Sequence, residues 1–356
     1  MKKIFVINPG STSTKIAVYE DEQQVWVKNI RHSTEELLPF HKTSEQYNYR
    51  RDCIEKALFD AHIDTDFDAV VGRGGLIKPC KGGVYEVNDK MKRDLKESEM
   101  DHACNLGALL ADEWAHKVGC RAYTADPVVV DEMEEKARIT GLPGLKRKSI
   151  FHALNSKAVA RRYAVSINKR YEDLDLIVVH LGGGISIGAH RHGLVIDVNN
   201  ALNGDGPFAP ERTGSLPSSQ FAQLCFSGRY TMQEIGKMLA GKGGIVAHIG
   251  VNDMLVVEQR AKSGDNSCKM LIEAMMYNVA KYIGAMHVAL KGKTQAILLT
   301  GGIAFSDYCV NILRKQIDFI APVKVFPGED EMGALAGNAF RALNGTQQCQ
   351  VYTGCL

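Results

Sequence analysis

Residues 3–15 read Lys3-Ile4-Phe5-Val6-Ile7-Asn8-Pro9-Gly10-Ser11-Thr12-Ser13-Thr14-Lys15, an apolar strand that leads into a turn of small residues. The pattern recurs where 176–180 leads into Leu181-Gly182-Gly183-Gly184 and where 296–300 leads into Gly301-Gly302. Backbone N–H groups of such turns can converge on an anion, because glycine has no Cβ to keep a phosphate away. Three such turns predict one nucleotide held from two domains.

The first two turns are followed at once by a second strand, at 15–19 and at 185–189, so each is predicted to be a hairpin. This differs from the strand-to-helix turn of a P-loop or a dinucleotide fold, and neither GxxxxGK[ST] nor GxGxxG occurs in the chain. A duplicated phosphate-holding hairpin resembles the actin-like ATPase superfamily, which includes sugar kinases, acetate kinase and the heat-shock chaperones.

Three motifs make the resemblance more specific. Residues 8–15 resemble the amino-terminal signature of the acetate and butyrate kinase family, 180–184 resemble its second signature, and 204–214 resemble its butyrate kinase branch. The resemblance implies an α/β fold of two RNase H-like, actin-like ATPase domains with a nucleotide cleft between them. It also implies reversible phosphoryl transfer between ATP and butyrate or a similar short-chain acid, giving an acyl phosphate and ADP. Mg²⁺ and a homodimer or larger homo-oligomer are further expectations.

Composition predicts two domains, since 356 residues exceed what one core usually holds. Lys and Arg number 43 against 41 Asp and Glu, so a net charge of +2 predicts neither nucleic acid nor a membrane surface as a partner. The apolar stretch after Lys3 stops at Asn8, which argues against a signal peptide. Nine scattered cysteines without a CxxC pair predict reduced thiols in the cytoplasm.

Strand-like and helix-like segments alternate along the chain, which favours an α/β fold. Predicted strands lie near 3–8, 14–20, 25–31, 69–71, 175–180, 185–190, 194–199, 296–299 and 323–326. Predicted helices lie near 105–118, 128–138, 152–164, 231–240, 252–262, 267–291 and 332–343. Glycine, proline and charged residues at 141–148 interrupt the pattern. The first domain is therefore predicted at 1–150 and the second at 151–344, with the tail 345–356 packing back on the first.

Two arginines are candidate catalytic residues. Arg73 follows a short apolar strand and is flanked by glycines that leave room for a ligand beside its guanidinium, and Arg212 lies in the glycine- and proline-rich loop 204–214. Phosphoryl transfer to a carboxylate needs such cations, because two anions must approach each other. An ordinary surface arginine is the alternative for each. The resemblance implies that both contact the carboxylate and the transferred phosphoryl group.

Acidic residues at two places are candidate metal-side groups. Asp126 follows a strand and precedes Pro127, a pattern more typical of a helix cap than of a catalytic acid, and Glu331 lies where a helix dipole alone favours an acid. The resemblance implies that Asp126 lies near the metal and the catalytic arginine, and that Glu331 binds on the Mg²⁺ side with Asn8 as its partner. Glu329 is the competing candidate.

Three histidines have arguable roles beside the structural role that most histidines play. His180 ends a buried strand and opens a glycine turn, so its ring is expected to face the phosphates. His152 begins a helix after Phe151, and the resemblance implies that it faces the phosphoryl site. His102 matches a family histidine less closely. Phe151 and His102 are predicted substrate contacts, with His152 and His180 catalytic.

Nucleotide contacts are predicted at the three turns and at one further acid: Asn8, Ser11, Ser13, Lys15, His180, Gly182, Gly183, Gly184, Asp253, Gly301 and Gly302. The chain departs from acetate kinases at Leu255, where the arginine of a DxR-like element would fall. Whether Asp253 or Leu255 contacts the nucleotide is therefore left open. It departs again at Gly75, where acetate kinases carry a bulky aliphatic residue. This glycine is expected to contact the substrate and to deepen the acyl pocket.

Two other functions stay open from the residues alone. One is an acetate or propionate kinase, and the other is a non-metabolic conformational ATPase of the same fold, because a fold does not choose a function. The pair Arg73 and Arg212 favours the kinase, since a slow ATPase needs no cationic group for an acceptor carboxylate.

Overall fold

The fold was analysed in a computed structural model, which describes residues 1–98 and 100–354. Its strands are β1 (Lys3–Pro9), β2 (Ser13–Glu20), β3 (Gln23–Arg31), β4 (Ala69–Arg73), β5 (Val84–Glu86), β6 (Arg121–Ala125), β7 (Asp175–Leu181), β8 (Ile185–Arg191), β9 (Leu194–Val198), β10 (Ala296–Gly301) and β11 (Val323–Pro327). Its α-helices are α1 (Thr34–Leu37), α2 (Tyr47–Asp60), α3 (Asp89–Lys96), α4 (Asn105–Val118), α5 (Glu135–Arg138), α6 (Ala153–Ser166), α7 (Ser218–Cys225), α8 (Met232–Leu239), α9 (Ile245–Ile249), α10 (Met254–Lys262), α11 (Asn266–Ala289), α12 (Asp307–Ile317) and α13 (Glu331–Leu343).

The chain divides into two compact units. The first unit comprises Met1–Asp131 together with the described residues from Asp330 onward, and the second comprises Glu132–Glu329. Each unit contains one sheet and its own apolar core.

The sheet of the first unit has the strand order β3-β2-β1-β4-β6-β5. Strands β1, β4 and β6 run parallel, and β1 pairs with β2 as an antiparallel hairpin. Phe5 on β1 is fully buried, stacks on Phe67 and meets Trp114 of α4 edge-on. Because parallel strands end at the same edge of a sheet, Asn8 and Arg73 lie along one edge.

The sheet of the second unit has the order β11-β10-β7-β8-β9. Here β7, β10 and β11 run parallel, and β7 pairs with β8 as an antiparallel hairpin. Read in reverse, as β9-β8-β7-β10-β11, this order matches β3-β2-β1-β4-β6 of the first unit. The hairpin duplication predicted from the sequence is therefore confirmed. The parallel strands bring His180 and Thr300 side by side at their carboxyl ends, since these two residues pair in the ladder.

The unit boundaries differ from the predicted residues 150 and 344. Residues after 131 belong to the second unit, because the Glu132 carboxylate accepts hydrogen bonds from Lys157 Nζ and from the backbone N–H of Val195. Helix α13 belongs to the first unit, because it packs on β1, β4 and β6. The glycine and proline residues of 141–144 therefore form a loop inside the second unit and mark no boundary.

The predicted helix at 128–138 is wrong except for its last turn, α5. Val130 instead pairs with Cys80 in an isolated bridge, and the backbone N–H of Glu134 donates to Ile196 O. Helix α2 is missing from the prediction, because its buried positions Arg50, Ile54 and Leu58 include an arginine that breaks the apolar spacing.

The described tail residues belong to the first unit. The backbone N–H of Gln350 donates to Val84 O, and Tyr352 Oη donates to Asp94 at 2.6 Å. Eight described cysteines are free, and Cys355, predicted with them to be reduced, lies outside the described residues. Among the described residues, none of the helices combines the length and apolarity that a bilayer span requires.

Candidate active site

Three polar side chains of the first unit form a hydrogen-bonded cluster where β1 and β4 end. Arg73 Nη1 donates to Glu331 Oε2 at 2.6 Å and to Asn8 Oδ1 at 3.4 Å, while Asn8 Nδ2 donates to the same Glu331 oxygen at 2.8 Å. The side chains of Arg73 and Glu331 are 24% and 15% exposed. The sequence predicts all three as site residues, and the structure brings them together. We call them the arginine cluster.

Local sequence positions each member of the cluster. Arg73 is the last residue of the buried strand β4. This strand packs closely on α4 where Gly72 meets Gly107, since a Cβ on Gly72 would lie only 2.1 Å from Gly107 O. Asp330 caps α13 by accepting a hydrogen bond from the backbone N–H of Gly333 at 2.9 Å. Glu331 is thereby the first helical residue, where the positive end of the helix dipole favours a carboxylate.

The two candidate acids at 329 and 331 have different neighbours. Glu331 belongs to the arginine cluster in the first unit, whereas Glu329 Oε1 lies 3.1 Å from His180 Nε2 in the second unit. The two carboxylates are therefore separable by mutation, because they contact different groups.

Asp126 is buried and does not cap a helix. It follows β6 with a positive φ of 40°, and its Oδ1 accepts a hydrogen bond from the backbone N–H of Gly83 at 2.7 Å. No α-helix starts at Pro127 in the described chain, so the helix-cap alternative is wrong. Ala125 is the last residue of β6 and pairs with Arg73 of β4, so Asp126 lies one residue beyond the end of the strand next to the one that carries the arginine. Its place near a metal stays a prediction.

The oxygen atoms of the arginine cluster fit a magnesium ion that is shared with phosphates. Mg²⁺ is usually held by one or two carboxylates, several waters and substrate oxygens rather than by a protein cage. Glu331 supplies a partly exposed carboxylate and Asn8 an amide oxygen, whereas the Asp126 side chain is almost fully buried. Among the described residues, His, Cys, Asp and Glu form no group of three or more that could hold a metal without the substrate.

The first turn rests on a network that the sequence does not predict. Arg50 of α2 is fully buried, and its guanidinium donates to the backbone oxygens of Ser11 and Ser13, to Thr14 Oγ1 and twice to Gln46 Oε1, at 2.8 to 3.0 Å. The turn itself closes with a hydrogen bond from the Gly10 backbone N–H to Ser13 O at 2.8 Å. The predicted nucleotide residues Ser11 and Ser13 are therefore held from behind through their carbonyl groups.

His32 extends the network and titrates abnormally. Its Nε2 lies 2.8 Å from Thr14 Oγ1 and its Nδ1 lies 3.1 Å from Tyr49 Oη. Burial, together with the charge of Arg50, lowers the pKa of His32 from 6.5 to about 4. The folded protein thus keeps this ring neutral at pH values where the unfolded chain protonates it.

This difference predicts a loss of stability in weak acid. The unfolded chain binds the proton near pH 6.5, whereas the folded protein binds it only near pH 4. The contribution of the neutral His32 ring to the free energy of unfolding is therefore full above pH 6.5 and is lost as the pH falls toward 4. Between pH 7 and pH 5 the free energy of unfolding should fall by about 2 kcal/mol from this group. Urea unfolding at both pH values measures it, and the His32→Gln variant should show a correspondingly smaller fall. An equal fall in the variant would show that other groups cause it.

In the second unit two histidine rings stack face to face. The ring centroids of His152 and His180 lie 3.6 Å apart with an interplanar angle of 7°. His152 precedes α6 and its Nδ1 lies 3.0 Å from Ser186 Oγ, while His180 is the last residue but one of the buried strand β7. Both rings were predicted as catalytic from motifs 28 residues apart in the sequence, and the structure pairs them.

A chain of hydrogen bonds fixes the tautomer of His180. Thr300 Oγ1 donates to Gly328 O at 2.9 Å, so it must accept the hydrogen bond from Asn155 Nδ2 at 3.2 Å. The second hydrogen of this amide points to His180 Nδ1 at 2.9 Å, which makes Nδ1 an acceptor. The proton of the neutral ring therefore sits on Nε2, the nitrogen beside Glu329.

Without the hydrogen bond from Asn155, the His180 ring should no longer be held in one tautomer. In an Asn155→Leu variant Nδ1 loses its donor, so the ring should populate both tautomers and kcat should fall roughly tenfold. Histidine ¹⁵N NMR reads the protonated nitrogen directly, and Asn278→Leu, on α11, is the matched control. A wild-type spectrum with the His180 proton on Nδ1 would contradict the assignment.

Arg212 lies beside the second turn. A Cβ on Gly184 would lie 3.9 Å from both Arg212 Cγ and His152 Cε1, so this glycine separates the two side chains. Arg212 Nη1 donates to Glu211 O at 3.3 Å, whereas its buried Nε finds no hydrogen-bond partner among the described residues. A buried donor of this kind calls for a partner that the polypeptide does not supply.

His102 is also oriented by its neighbours. Its Nδ1 accepts a hydrogen bond from the Cys104 backbone N–H at 3.2 Å and lies 2.9 Å from Cys104 Sγ. Burial raises the pKa of the Cys104 thiol to about 11, so the sulfur stays protonated and acts as a donor to the ring. His102 lines a cavity of about 910 Å³ in the first unit, with Leu95 and Asn105 beside it.

Comparison with known proteins shows the family and the fold of the chain. A sequence profile described as the acetokinase family matches residues 143–321. A probable butyrate kinase of Phocaeicola vulgatus is 60% identical over 98% of this chain and 99% of its own length, and butyrate kinase 2 of Clostridium acetobutylicum is 52% identical over 98% and 99%. The chain belongs to the acetokinase family. In three dimensions it resembles Porphyromonas gingivalis acetate kinase with a TM-score of 0.78, at 18% identity, over 97% of this chain and 100% of that one. The two-domain α/β fold implied by the resemblance is thereby confirmed.

The acetokinase fold leaves little space at Gly75. A Cβ there would lie 2.6 Å from Leu95 Cδ2 and from Asn105 Oδ1, and 2.7 Å from Asn105 Cα. Leu95 and Asn105 thus occupy the space into which a side chain at position 75 would extend. The expectation that Gly75 leaves this space open as a deeper acyl pocket is therefore wrong. Asn105 fills that direction because its Oδ1 accepts the Leu76 backbone N–H at 2.7 Å.

Substitution at Gly75 should accordingly act on stability before it acts on substrate choice. We expect Gly75→Val to lose about 1–3 kcal/mol of unfolding free energy, because the backbone of α4 must move to admit the side chain. Differential scanning calorimetry measures the shift, with Gly141→Val as a control at a glycine that has no neighbour within 4 Å. A Gly75→Val protein with wild-type stability and an altered preference among acids would restore the pocket interpretation.

The remaining predicted contacts lie in varied surroundings. Asp253 caps α10 by accepting the Leu255 backbone N–H at 2.9 Å, and the Leu255 side chain is 68% exposed. Phe151 is buried, and Lys15 is exposed on β2, opposite Asn8. Gly301 adopts a positive φ of 90°, and a Cβ there would lie 2.4 Å from Leu181 O, so the third turn requires glycine. Binding of nucleotide or substrate by these residues stays a prediction.

Proposed function

We propose that this acetokinase is a butyrate kinase, which transfers the γ-phosphoryl group of ATP reversibly to butyrate or a similar short or branched fatty acid. The arginine cluster carries the proposal. It brings a cation for the acceptor carboxylate, Arg73, and two oxygen ligands for magnesium, from Glu331 and Asn8, together at the edge of one sheet. The name butyrate kinase borne by relatives at 60% and 52% identity supports the choice of acid.

The reaction needs no general base. A carboxylate is already ionised at neutral pH, so one of its oxygens can attack the γ-phosphorus while the bond to the β-phosphate bridging oxygen breaks and ADP leaves. Arg73 binds the acceptor carboxylate through its guanidinium and offsets its charge. Magnesium, when bound by Glu331 and Asn8, neutralises phosphate oxygens.

The residues of the second unit act as donors to phosphate in this proposal. His180 carries a proton on Nε2, fixed there by Asn155 and Thr300, which it donates to phosphate in place of Glu329 when nucleotide binds, and Arg212 presents its unpaired Nε. Preorganised donors of this kind stabilise the charge that develops on the equatorial oxygens. The N–H groups of Gly182 and Gly301 donate within the protein, to Gly184 O and Gly328 O, so it is the other backbone N–H groups of the turns 182–184 and 301–302 that face the nucleotide in this proposal.

A panel of acids tests the proposed substrate. Acyl phosphate trapped as hydroxamate is measured with ATP, Mg²⁺ and acetate, propionate, butyrate, isobutyrate or valerate. We expect kcat/KM to be highest for a four-carbon acid, with overlap, because one methylene contributes only about 1–3 kcal/mol. A maximum at acetate or propionate would reassign the substrate within the family.

We further propose a cytoplasmic homo-oligomer. The eight free cysteines support a reducing compartment, and the exposed apolar side chains of Phe226 and Met232 support contact with a second copy. Light scattering of the purified protein measures the oligomeric state, and a monomeric mass would contradict the proposal.

A further inference from the structure

Arg50 carries a positive charge into the interior of the first unit, where no acidic residue of the described chain pairs with it. Its side chain is 0% exposed, and the five N–H groups of its guanidinium all donate to neutral oxygens, on Gln46, Ser11, Ser13 and Thr14. Its pKa is lowered by burial, yet an arginine stays protonated at neutral pH.

A buried charge of this kind is costly unless something opposite in sign compensates it. Neutral side chains can donate to carbonyl groups at a turn, so the hydrogen bonds alone do not explain why the residue is charged. His32, which faces the same network, is kept neutral and supplies no compensation. The Glu36 carboxylate acts on His32 and Tyr49 but is not among the groups that act on Arg50, so a bound anion is left to compensate the charge.

The geometry of the turn shows where an anion would lie. The Ser11 carbonyl points inward to Arg50 Nη2 at 3.0 Å. In a planar trans peptide the following N–H points the opposite way, so the Thr12 N–H is directed outward, at the exposed tip of the turn. Arg50 thus orients a backbone donor toward the surface and leaves its own charge behind the same peptide.

We propose that Arg50 is the positioning residue of the first turn: it aims the Thr12 N–H at a nucleotide phosphate, and its buried charge makes that site selective for highly charged phosphates. The inference rests on the proposed function, because it takes the first turn as a phosphate site. Arg50 touches no substrate, and it acts through the turn.

The test compares nucleotide affinities in three variants by isothermal titration calorimetry with ATP and AMP. Arg50→Gln removes the charge and keeps an N–H hydrogen-bond donor. Arg50→Lys keeps the charge and loses the planar guanidinium with its several N–H groups. Arg51→Gln is the matched control on the next residue of the same helix, where Arg51 is 34% exposed and pairs with Asp52 at 2.8 Å. The KM for butyrate is measured in each protein.

We expect Arg50→Gln to raise the Kd for ATP at least tenfold but the Kd for AMP less than threefold, with the KM for butyrate unchanged. Arg50→Lys should raise the Kd for ATP about threefold and keep the wild-type ratio of ATP to AMP affinity. Arg51→Gln should leave every value within twofold.

Equal losses of ATP and AMP affinity in Arg50→Gln would overturn the inference, because a purely structural role weakens both. If Arg50→Gln does not fold, Arg50→Met, which is also neutral, decides on the same criterion: a larger loss of affinity for ATP than for AMP supports the inference, and equal losses overturn it. Failure of the proposed function looks different, since a wild-type protein that forms no acyl phosphate can still show this pattern of nucleotide affinity.

Discussion

The Arg73→Ala variant is expected to lose a factor of about 100 or more in kcat with butyrate. The guanidinium offsets charge that is redistributed in the transition state, which corresponds to roughly 3 kcal/mol. The substitution also leaves Glu331 without the hydrogen bond that Arg73 donates at 2.6 Å. Arg73→Lys should recover less than a tenth of the lost activity, because an ammonium group lacks the planar fork. Steady-state kinetics with saturating ATP measure both variants.

Arg121→Ala is the matched control for Arg73. Arg121 is exposed and begins β6, the strand beside β4, so it lies at the opposite end of the strands from the arginine cluster. Its loss should leave kcat within twofold of wild type. Near-normal turnover in both Arg73→Ala and Arg212→Ala would show that the assignment of the catalytic cations is wrong.

Glu331→Ala should raise the Mg²⁺ concentration needed for half-maximal activity by at least tenfold. The variant removes the carboxylate that lies beside Asn8 and Arg73, and hard oxygen ligands from one or two side chains are what a phosphate-bound magnesium requires. A titration of initial rate against Mg²⁺ at fixed ATP gives the value.

Glu329→Ala provides the internal comparison for this titration. Because the Glu329 carboxylate lies 3.1 Å from His180 Nε2, its loss should change kcat and leave the Mg²⁺ requirement within twofold. The reverse result, a magnesium defect in Glu329→Ala alone, would move the ligand two residues toward the amino terminus.

Much of the site was predictable because its residues end strands. Asn8 and Arg73 follow apolar runs of parallel strands, and the carboxyl ends of such strands meet at one edge of a sheet. His180 was predictable for the same reason. Glu331 required the resemblance, because an acid at a helix start looks like any dipole-stabilised residue.

Other features could not be read from one sequence. Arg50 and Asn155 act through contacts with residues 36 and 145 positions away, and such pairings leave no periodic signal. Gly75 was misinterpreted because a glycine can mark open space or a close approach of two segments, and only coordinates distinguish these. The domain boundary was misplaced because residues 132–150 contain turn signals, yet an ion pair between Glu132 and Lys157 ties them to the second unit.

The most direct test of the account is ³¹P NMR of the wild-type protein with ATP, Mg²⁺ and butyrate. The account predicts a new acyl phosphate resonance that grows in step with ADP, and its disappearance with ATP formation when ADP is added in excess. Release of inorganic phosphate without an acyl phosphate, at a rate that does not depend on butyrate, would contradict it and identify the protein as an ATPase.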